Sequence, residues 1–369
     1  MDLHERYSLT RIINAAGTFT PLGVSRSSER VRRVVDAALG DFYVIDELQR
    51  AVSDTICAQT KAEAASVTHC VAAAITLAVA ATMTGDDAER VAQLPEATGL
   101  ADRVVIPAGH VVNYGHSILT AIRMAGARPV VVGDEDGCSV DQIDQALKQE
   151  GTACLLLVSS RLVRGEPVDL AGAVACARRH NRPAIIDGAA QDMRIDELLA
   201  TGADLVLVST HKYLASPTAG LMIGRQALVR ACRAQEQGIG RAMKATKESL
   251  CGVLAALEDR AGMDAAEWQQ EQARKVAWFM RRAQDLNGVV RASDQPDPSG
   301  MPFSRACLAL DSRQAAQSLA ETLENGSPSI RVMKHGLDQG QLLFELVPLD
   351  QDELVTIVER LRDALSRYT

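Results

Sequence analysis

Between residues 65 and 224, short apolar runs alternate with amphipathic stretches of helical length. The runs are rich in Val, Leu and Ile, as expected of strands that are buried on both faces. Strands that alternate with helices in this way predict a mostly parallel, doubly wound α/β sheet. The runs that we interpret as strands are Val104–Ile106, Pro129–Val132, Leu155–Val158, Ala184–Ile186, Leu205–Val208 and Gly220–Ile223.

The last two runs are joined by a connection that is too short for a helical crossover, so the run at Gly220 is predicted to be antiparallel. We expect three parts in the chain: an N-terminal arm and helix over residues 1–45, a large α/β domain over 46–255, and a small C-terminal α+β domain over 256–369. The elements predicted in the small domain are strands at Ala306–Leu310, Ser329–Met333 and Leu342–Leu346, a loop at 294–300 and a helix from Asp350.

Composition argues against several classes of protein. The net charge of −8 disfavours nucleic acid or an anionic membrane as the main partner. The N-terminus lacks the basic and apolar blocks of a signal peptide, and no apolar run approaches the length of a membrane span. The eight cysteines form no C-x-x-C pair, so we expect reduced thiols and no metal site. These features predict a cytoplasmic globular protein that acts on a small molecule.

An acid and an amine follow two consecutive predicted strands. Asp187 comes directly after Ala184–Ile186, and Lys212 lies just past the end of Leu205–Val208. The carboxyl ends of parallel strands meet at one edge of a sheet, where open α/β folds bind ligands. Pyridoxal phosphate requires this combination, because a lysine amine holds its aldehyde as a Schiff base and a carboxylate keeps its pyridine nitrogen protonated. The alternative for Asp187 is a helix N-cap.

The surroundings of Lys212 favour a reactive amine. The strand before it is wholly apolar, and residues 213–220 after it carry no charge. We therefore expect a partly desolvated lysine with a lowered pKa, which makes imine chemistry easier. Ser209 could donate to the cofactor phosphate, Ala189 is small enough to lie against the ring face, and Gln191 could reach the ring hydroxyl.

A phosphate site is predicted where a short strand leads into an alanine-rich helix, within Ser66–Ala74. Free amides at a helix start attract anions, aided by the helix dipole. Thr68 and His69 can add side-chain donors. The alternative is an ordinary buried helix, which this segment taken alone favours.

The loop after the strand at Val104 offers further contacts. His110 or Tyr114 could stack on the cofactor ring, and Asn113 could hydrogen-bond to it. Arginine suits a substrate carboxylate or phosphate, because its donors form a planar fork. The candidate arginines, chosen mainly by the resemblance described next, are Arg26, Arg164 and Arg331.

In order and spacing, the chain resembles the fold-type I pyridoxal-phosphate enzymes, in the branch similar to selenocysteine synthase and D-glucosaminate-6-phosphate ammonia-lyase. The resemblance runs over most of the chain. The segments that carry it are Arg11–Thr18, Leu22–Arg26, Ile45–Gln49, Thr60–Ala64, Ile186–Gln191, Gly202–Leu205 and Gly240–Glu248.

The resemblance implies a role for individual residues. Lys212 would form the Schiff base, and Asp187 would pair with the pyridine nitrogen. The phosphate loop falls on His69, Cys70 and Val71, where the family usually has Ser-Gly-Ala. The segment before the lysine is usually glycine-rich and here ends in His211, a further expected cofactor contact.

The resemblance also implies an architecture and a function. Such enzymes have a large domain of about seven strands with a smaller C-terminal domain, and they form dimers with active sites at the subunit interface, so we expect a homodimer or a higher homo-oligomer. The implied function is a lyase that catalyses α,β-elimination, of the ammonia-lyase type, on an amino acid or amino sugar acid, with Lys212 as the base for the α-proton.

Other functions of the same machinery stay open as alternatives. These are an amino-acid racemase, an aminotransferase and a selenocysteine-synthase-like transferase. Selenocysteine synthesis is less favoured, because the chain is acidic and shows no basic tRNA-binding arm. The non-enzymatic alternative is a cofactor-binding regulator, which would normally need a fused DNA-binding or partner-binding module.

Overall fold

The computed structural model describes residues 2–134 and 136–366. Within them the chain forms two compact units. One unit is continuous and runs from Ser27 to Gly262, and the other combines the residues up to Arg26 with those from Met263 onward. Among the described residues, no helix is both long enough and apolar enough to cross a membrane.

The described residues form twelve strands and fourteen α-helices. The strands are β1 (Ile12–Ala15), β2 (Ala64–Thr68), β3 (Arg103–Pro107), β4 (Arg128–Val132), β5 (Thr152–Val158), β6 (Ala184–Asp187), β7 (Leu205–Ser209), β8 (Gly220–Gly224), β9 (Val289–Pro296), β10 (Ser304–Leu310), β11 (Ser329–Val332) and β12 (Gln341–Phe344). The helices are α1 (Leu3–Tyr7), α2 (Glu29–Leu39), α3 (Ile45–Gln59), α4 (Val71–Thr84), α5 (Ala88–Gln93), α6 (Ile118–Met124), α7 (Val140–Leu147), α8 (Leu170–Arg179), α9 (Ile195–Ala200), α10 (Gln226–Ala234), α11 (Lys247–Ala261), α12 (Ala265–Ala283), α13 (Arg313–Glu324) and α14 (Gln351–Leu365).

The unit from Ser27 to Gly262 is built on a seven-stranded sheet in the order β2-β8-β7-β6-β5-β3-β4. Strands β4, β3, β5, β6 and β7 pair in parallel, whereas β8 is antiparallel to both of its neighbours. The predicted mostly parallel sheet and the antiparallel run at Gly220 are therefore confirmed.

Helices cover both faces of this sheet, so each central strand sends side chains into two apolar layers. In β5, Leu155 and Leu157 pack in one layer, and Cys154 and Leu156 pack in the other. Helix α4 lies in the second layer and contacts β8, β7 and β5. Twelve of its 14 residues are buried, and their small side chains let the helix lie close to the sheet. The predicted alanine-rich helix is thus confirmed, and it crosses the middle of the sheet.

The other unit contains two small sheets. Strand β1 pairs in parallel with β11, and the three-stranded sheet has the antiparallel order β12-β10-β9. The predicted strands at residues 306–310, 329–333 and 342–346 and the closing helix from Asp350 are confirmed to within a few residues.

The predicted loop at 294–300 is wrong in its first part, because β9 continues to Pro296. In this edge strand no residue is buried and half of the residues are exposed, without a regular alternation, so its sequence carries no strand pattern. It is held by pairing with β10.

The domain limits at residues 45 and 255 stay a prediction. The compact units divide after Arg26 and after Gly262. Helix α11 runs unbroken from Lys247 to Ala261. The first residues join the C-terminal ones because β1 forms a sheet with β11.

Candidate active site

Three strands of the seven-stranded sheet bring polar residues to one edge. Asp187 is the last residue of β6, and Ser209 is the last residue of β7. Thr68 ends β2, and both Thr68 and Ser209 pair with Gly220, the first residue of β8. This is the carboxyl edge of the parallel strands, where ligands bind in open α/β sheets.

Asp187 is a buried carboxylate with few compensating contacts. It is 5% exposed, and its Oδ1 accepts a hydrogen bond of 3.1 Å from the Ala189 N–H. Burial raises the pKa of Asp187 to about 6, although attraction to Lys212 and the bond from Ala189 act in the opposite direction. The next helical turns begin after Gln191 and Arg194, so Asp187 caps neither, and the helix-cap alternative is wrong.

Lys212 lies in the turn that follows β7, and Thr210 anchors this turn. The Thr210 N–H and hydroxyl each donate to the Ala219 carbonyl at 3.1 Å. Burial lowers the pKa of Lys212; Asp187 opposes this shift, and the cation of Arg161 adds to it. The partly desolvated amine expected from the sequence is thus held where an acid can interact with it.

The start of α4 offers amides to an anion. The N-cap residue Cys70 makes no side-chain capping bond, so the N–H groups of the first turn remain available. Gly220 lies directly against this point. A Cβ on Gly220 would come within 2.5 Å of the Cys70 carbonyl carbon and 2.8 Å of the Val71 nitrogen. Glycine therefore lets β8 and the helix start approach each other closely.

Thr68 and His69 are tied to the protein backbone just before α4. The Thr68 hydroxyl donates to the Met243 carbonyl at 2.5 Å, and the His69 N–H donates to the same oxygen at 2.8 Å. The hydroxyl proton of Thr68 is thus engaged, contrary to the expectation of a free donor. The amides from Val71 onward are the better candidates for phosphate contacts.

Ser209 and His211 flank the start of β8. Ser209 Oγ lies 3.1 Å from Nδ1 of His211, and the His211 ring also bonds to the backbone of Ala219. Burial lowers the pKa of His211, and the charges of Lys212 and His69 act in the same direction. Ser209 pairs with Gly220, the residue that lies against the start of α4. Ser209, with the His211 ring bonded to it, is therefore next to the residue that contacts this helix start.

His110 is buried in the turn after β3. Its Nδ1 accepts a hydrogen bond of 3.0 Å from the N–H of Val158, the last residue of β5. Burial lowers the pKa of His110 to about 4, so the ring is neutral. This bond joins the turn after β3 to the end of β5 at the sheet edge. A contact between His110 and a cofactor stays a prediction.

The buried polar atoms that have no hydrogen-bond partner among the described residues include the Tyr114 hydroxyl and Nε2 of Gln191, which lies four residues after Asp187. Burial raises the pKa of Tyr114, and negative charge on Asp187 and Cys70 adds to the shift. The Gln191 amide is oriented by Arg194, which donates to its Oε1 at 3.0 Å. Buried polar groups are rarely left unpaired. The two free groups therefore fit an additional molecule with polar atoms, as the oxygens of pyridoxal phosphate would provide.

Two of the candidate arginines are paired with acids. Arg26 contacts Glu353 through two hydrogen bonds, of 3.0 and 2.7 Å. Arg331 forms an ion pair with Glu324 and donates to Ser329 Oγ at 3.0 Å. Each pair lies within the unit that combines the two ends of the chain. A role in substrate binding stays a prediction for both arginines.

The third candidate, Arg164, follows β5 and is exposed. Its N–H donates to the Gly109 carbonyl at 3.0 Å, which joins this loop to the turn after β3. Arg161 in the same loop was missed from the sequence, although its charge acts on Lys212. Its position, three residues past a predicted strand end, is the signal that could have revealed it.

The chain resembles an enzyme of known activity along its whole length. It is 31% identical to D-glucosaminate-6-phosphate ammonia lyase of Salmonella typhimurium over 98% of this chain and 97% of that protein. A solved structure of D-glucosaminate-6-phosphate ammonia-lyase matches with a TM-score of 0.89 over 100% of this chain and 99% of that chain. The chain belongs to the family of this enzyme.

Other relatives and a further solved structure also resemble this chain. The chain is 32% identical to 5′-C-glycyluridine monooxygenase-decarboxylase of Streptomyces sp over 98% of this chain and 92% of that protein. A family model described as L-seryl-tRNA selenium transferase matches residues 184–276, a range that holds both Asp187 and Lys212. A serine palmitoyltransferase structure with pyridoxal phosphate matches with a TM-score of 0.60 at 13% identity, over 97% of this chain and 88% of that chain. The prediction of a fold-type I pyridoxal-phosphate enzyme is confirmed.

Proposed function

We propose that this member of the family is a pyridoxal-phosphate-dependent lyase of the ammonia-lyase type, acting on an amino acid or amino sugar acid. The observation that carries the proposal is the end-to-end similarity to D-glucosaminate-6-phosphate ammonia lyase, at 31% identity and a TM-score of 0.89. The carboxyl edge of the sheet supports it, because a partly desolvated lysine and a buried acid interact there.

Residues at the carboxyl edge of the sheet would hold four parts of the cofactor. The amides at the start of α4, with Ser209 and His211 beside them, suit its phosphate. Lys212 suits its aldehyde, Asp187 its pyridine nitrogen, and Nε2 of Gln191, which has no partner among the described residues, its ring hydroxyl. When bound, the cofactor supplies an electron sink for the carbanion at the substrate α-carbon.

Lys212 and Asp187 would divide the proton chemistry between them. Burial lowers the pKa of Lys212, which increases the share of neutral amine able to accept the α-proton at Nζ. Burial raises the pKa of Asp187 only to about 6, so this acid is mostly ionised at neutral pH. An ionised Asp187 favours a proton on a ring nitrogen beside it.

A monooxygenase-decarboxylase is the second candidate. The chain is 32% identical to 5′-C-glycyluridine monooxygenase-decarboxylase over nearly its whole length. The two candidates differ in measurable products. A decarboxylating oxygenase consumes dioxygen and releases carbon dioxide, whereas an ammonia-lyase retains the substrate carboxylate and releases ammonia.

The test is a substrate screen of the purified protein loaded with pyridoxal phosphate. Amino acids and phosphorylated amino sugar acids are incubated with it while keto acid, ammonia, dissolved oxygen and carbon dioxide are measured. We expect keto acid and ammonia in equal amounts, without oxygen uptake, and no product from Lys212→Ala. Oxygen uptake with carbon dioxide release would select the second candidate. In deuterium oxide, α-deuteration with inversion and no keto acid would instead indicate a racemase.

We also propose a homodimer or a higher homo-oligomer. Residues 39–45 expose a cluster of large apolar side chains, and Phe42 at its centre is 97% exposed. Contiguous exposed apolar residues commonly mark association surfaces. Sedimentation velocity should show a species larger than the 39.5 kDa chain. Phe42→Asp should shift the protein toward the monomer, and a wild-type monomer at micromolar concentration would contradict the proposal.

A cytoplasmic location is proposed as well. All eight cysteines are free, and five of them are buried. Free thiols are typical of a reducing compartment. Cell fractionation followed by immunoblotting tests this location.

A further inference from the structure

Arg260, near the end of α11, contacts two segments of the candidate active site. Its Nη1 lies 2.6 Å from Oδ2 of Asp192, and its Nη2 donates a hydrogen bond of 2.9 Å to the Tyr213 carbonyl. Tyr213 directly follows Lys212 in the chain, and Asp192 lies five residues after Asp187. One guanidinium group therefore connects the turn that carries Lys212 to the segment that carries Asp187.

The pair between Arg260 and Asp192 is strongly shielded from water. The side chain of Asp192 is 3% exposed and that of Arg260 is 20% exposed. Burial raises the pKa of Asp192, and Arg260 opposes this rise. The backbone amides of Asp192 and Met193 shift the pKa of this carboxylate in the same direction as Arg260. The ion pair thus fixes the backbone immediately after Gln191, the residue whose Nε2 has no hydrogen-bond partner among the described residues.

The contacts of Arg260 differ from those of its neighbours on α11. Glu258 and Asp259 pair with Arg30 on α2, at a more exposed position. Arg260 alone of these three residues reaches the segments that follow β6 and β7. Its planar fork can hold a carbonyl and a carboxylate together, which a single ammonium group does less well.

We propose that Arg260 is a positioning residue for Lys212. By joining Tyr213 to Asp192, it holds the Lys212 turn against the Asp187 segment and keeps the amine partly desolvated. This inference rests on the proposed roles of Lys212 and Asp187. The charged groups that act on Lys212 itself are Asp187 and Arg161, and the variants described next leave both in place.

The experiment compares Arg260→Met, Arg260→Lys and Asp192→Asn with a matched control, Arg225→Met. The control breaks an ion pair of 2.9 Å with Asp204, which lies at the opposite end of β7. In the cofactor-free proteins, Lys212 is labelled with an amine-reactive reagent across a pH series and quantified by peptide mass spectrometry. The dissociation constant of pyridoxal phosphate is measured in parallel.

In Arg260→Met we expect the labelling midpoint of Lys212 to rise by about one pH unit, because water reaches the amine. The dissociation constant of pyridoxal phosphate should rise by about tenfold, a change of about 1.4 kcal/mol. Arg260→Lys should be intermediate, and Arg225→Met should match the unsubstituted protein in both measurements.

An unchanged midpoint in a folded Arg260→Met protein overturns the proposal, and so does an equal shift in Arg225→Met. If Arg260→Met does not fold, the Asp192→Asn variant tests the proposal instead. It keeps the shape of the side chain at position 192 and leaves the bond from Arg260 to Tyr213 in place. In Asp192→Asn, a rise in the labelling midpoint of Lys212 that is smaller than the one expected for Arg260→Met supports the proposal, and no rise overturns it. If borohydride fixes the cofactor of the unsubstituted protein on another lysine, the proposed function of Lys212 fails, whereas the labelling result still reports the effect of Arg260 on Lys212.

Discussion

Replacing Asp187 with Asn should make the cofactor-free protein more stable at neutral pH while it damages catalysis. Asn keeps the shape of the side chain and can still accept the bond from Ala189, but it cannot ionise. In the cofactor-free protein, the carboxylate is buried without a cation that fully offsets the cost, and burial raises its pKa from 3.8 to about 6. The substitution removes that cost.

The size and sign of the effect follow from this shift in the pKa of Asp187. The rise is about two pH units, and each unit corresponds to about 1.4 kcal/mol, so the effect is about 3 kcal/mol. The folded-state pKa lies above the unfolded value, so the folded protein binds more protons between about pH 4 and pH 6. The stabilising contribution of the protonated acid is complete below that range and is lost as the pH rises through the folded-state pKa. The unsubstituted protein should therefore lose about 3 kcal/mol more than Asp187→Asn over this range.

Urea unfolding of both cofactor-free proteins between about pH 4 and pH 7 measures this difference, because every other titrating group is common to them. Asp192→Asn is the matched control: it also neutralises a buried acid, but it leaves Arg260 without its partner. Because Arg260 opposes the rise in the pKa of Asp192 and loses its acidic partner in this variant, the control should gain less stability at pH 7 than Asp187→Asn does. Parallel stability curves for the unsubstituted protein and Asp187→Asn would refute the reasoning.

Turnover of Asp187→Asn with cofactor should fall strongly, because a neutral amide does not hold a proton on the pyridine nitrogen.

Three further outcomes test the site. Borohydride should fix the cofactor on Lys212, and peptide mapping to a different lysine would reject that assignment. Gly220→Ala should weaken binding of inorganic phosphate by about tenfold in a fluorescence titration, because the added Cβ meets the Cys70 backbone at the α4 start; unchanged affinity would place the phosphate elsewhere. Tyr114→Phe should stabilise the cofactor-free protein by about 1 kcal/mol, since it deletes an unpaired buried hydroxyl. The same variant should bind cofactor or substrate more weakly, and unchanged binding of both would show that the hydroxyl meets no ligand.

The central sheet could be predicted from the sequence because its strands are buried on both faces. All seven residues of β5 are buried, so the strand stands out as an apolar run between polar segments. Strand β9 offered no such signal: it lies at the edge of a small sheet, and pairing with β10 holds it in place. The pairing of β1 with β11 joins segments that are more than 300 residues apart, which no local pattern reveals.

The features of the candidate site also differ in how far the sequence predicts them. The positions of Asp187 and Lys212 at one sheet edge follow from where their strands end, which is a local property of the sequence. The bond from Thr68 to Met243 and the contacts of Arg260 come from distant parts of the chain, so the sequence left them undetected. The unpaired state of the Tyr114 hydroxyl is likewise a property of three-dimensional packing.

The Lys212–Asp187 pair cannot by itself select the reaction. Two relatives match this chain almost from end to end, at 31% and 32% identity, and their names describe an ammonia lyase and a monooxygenase-decarboxylase. A lysine base and an acid on the pyridine nitrogen serve the removal of an α-substituent in general. The choice between reactions must therefore lie with groups that contact the substrate or dioxygen beyond the cofactor ring. Candidates for such groups are the Tyr114 hydroxyl, which has no partner among the described residues, and Arg161, whose cation acts on Lys212; substitutions at either residue should change the products before they abolish cofactor binding.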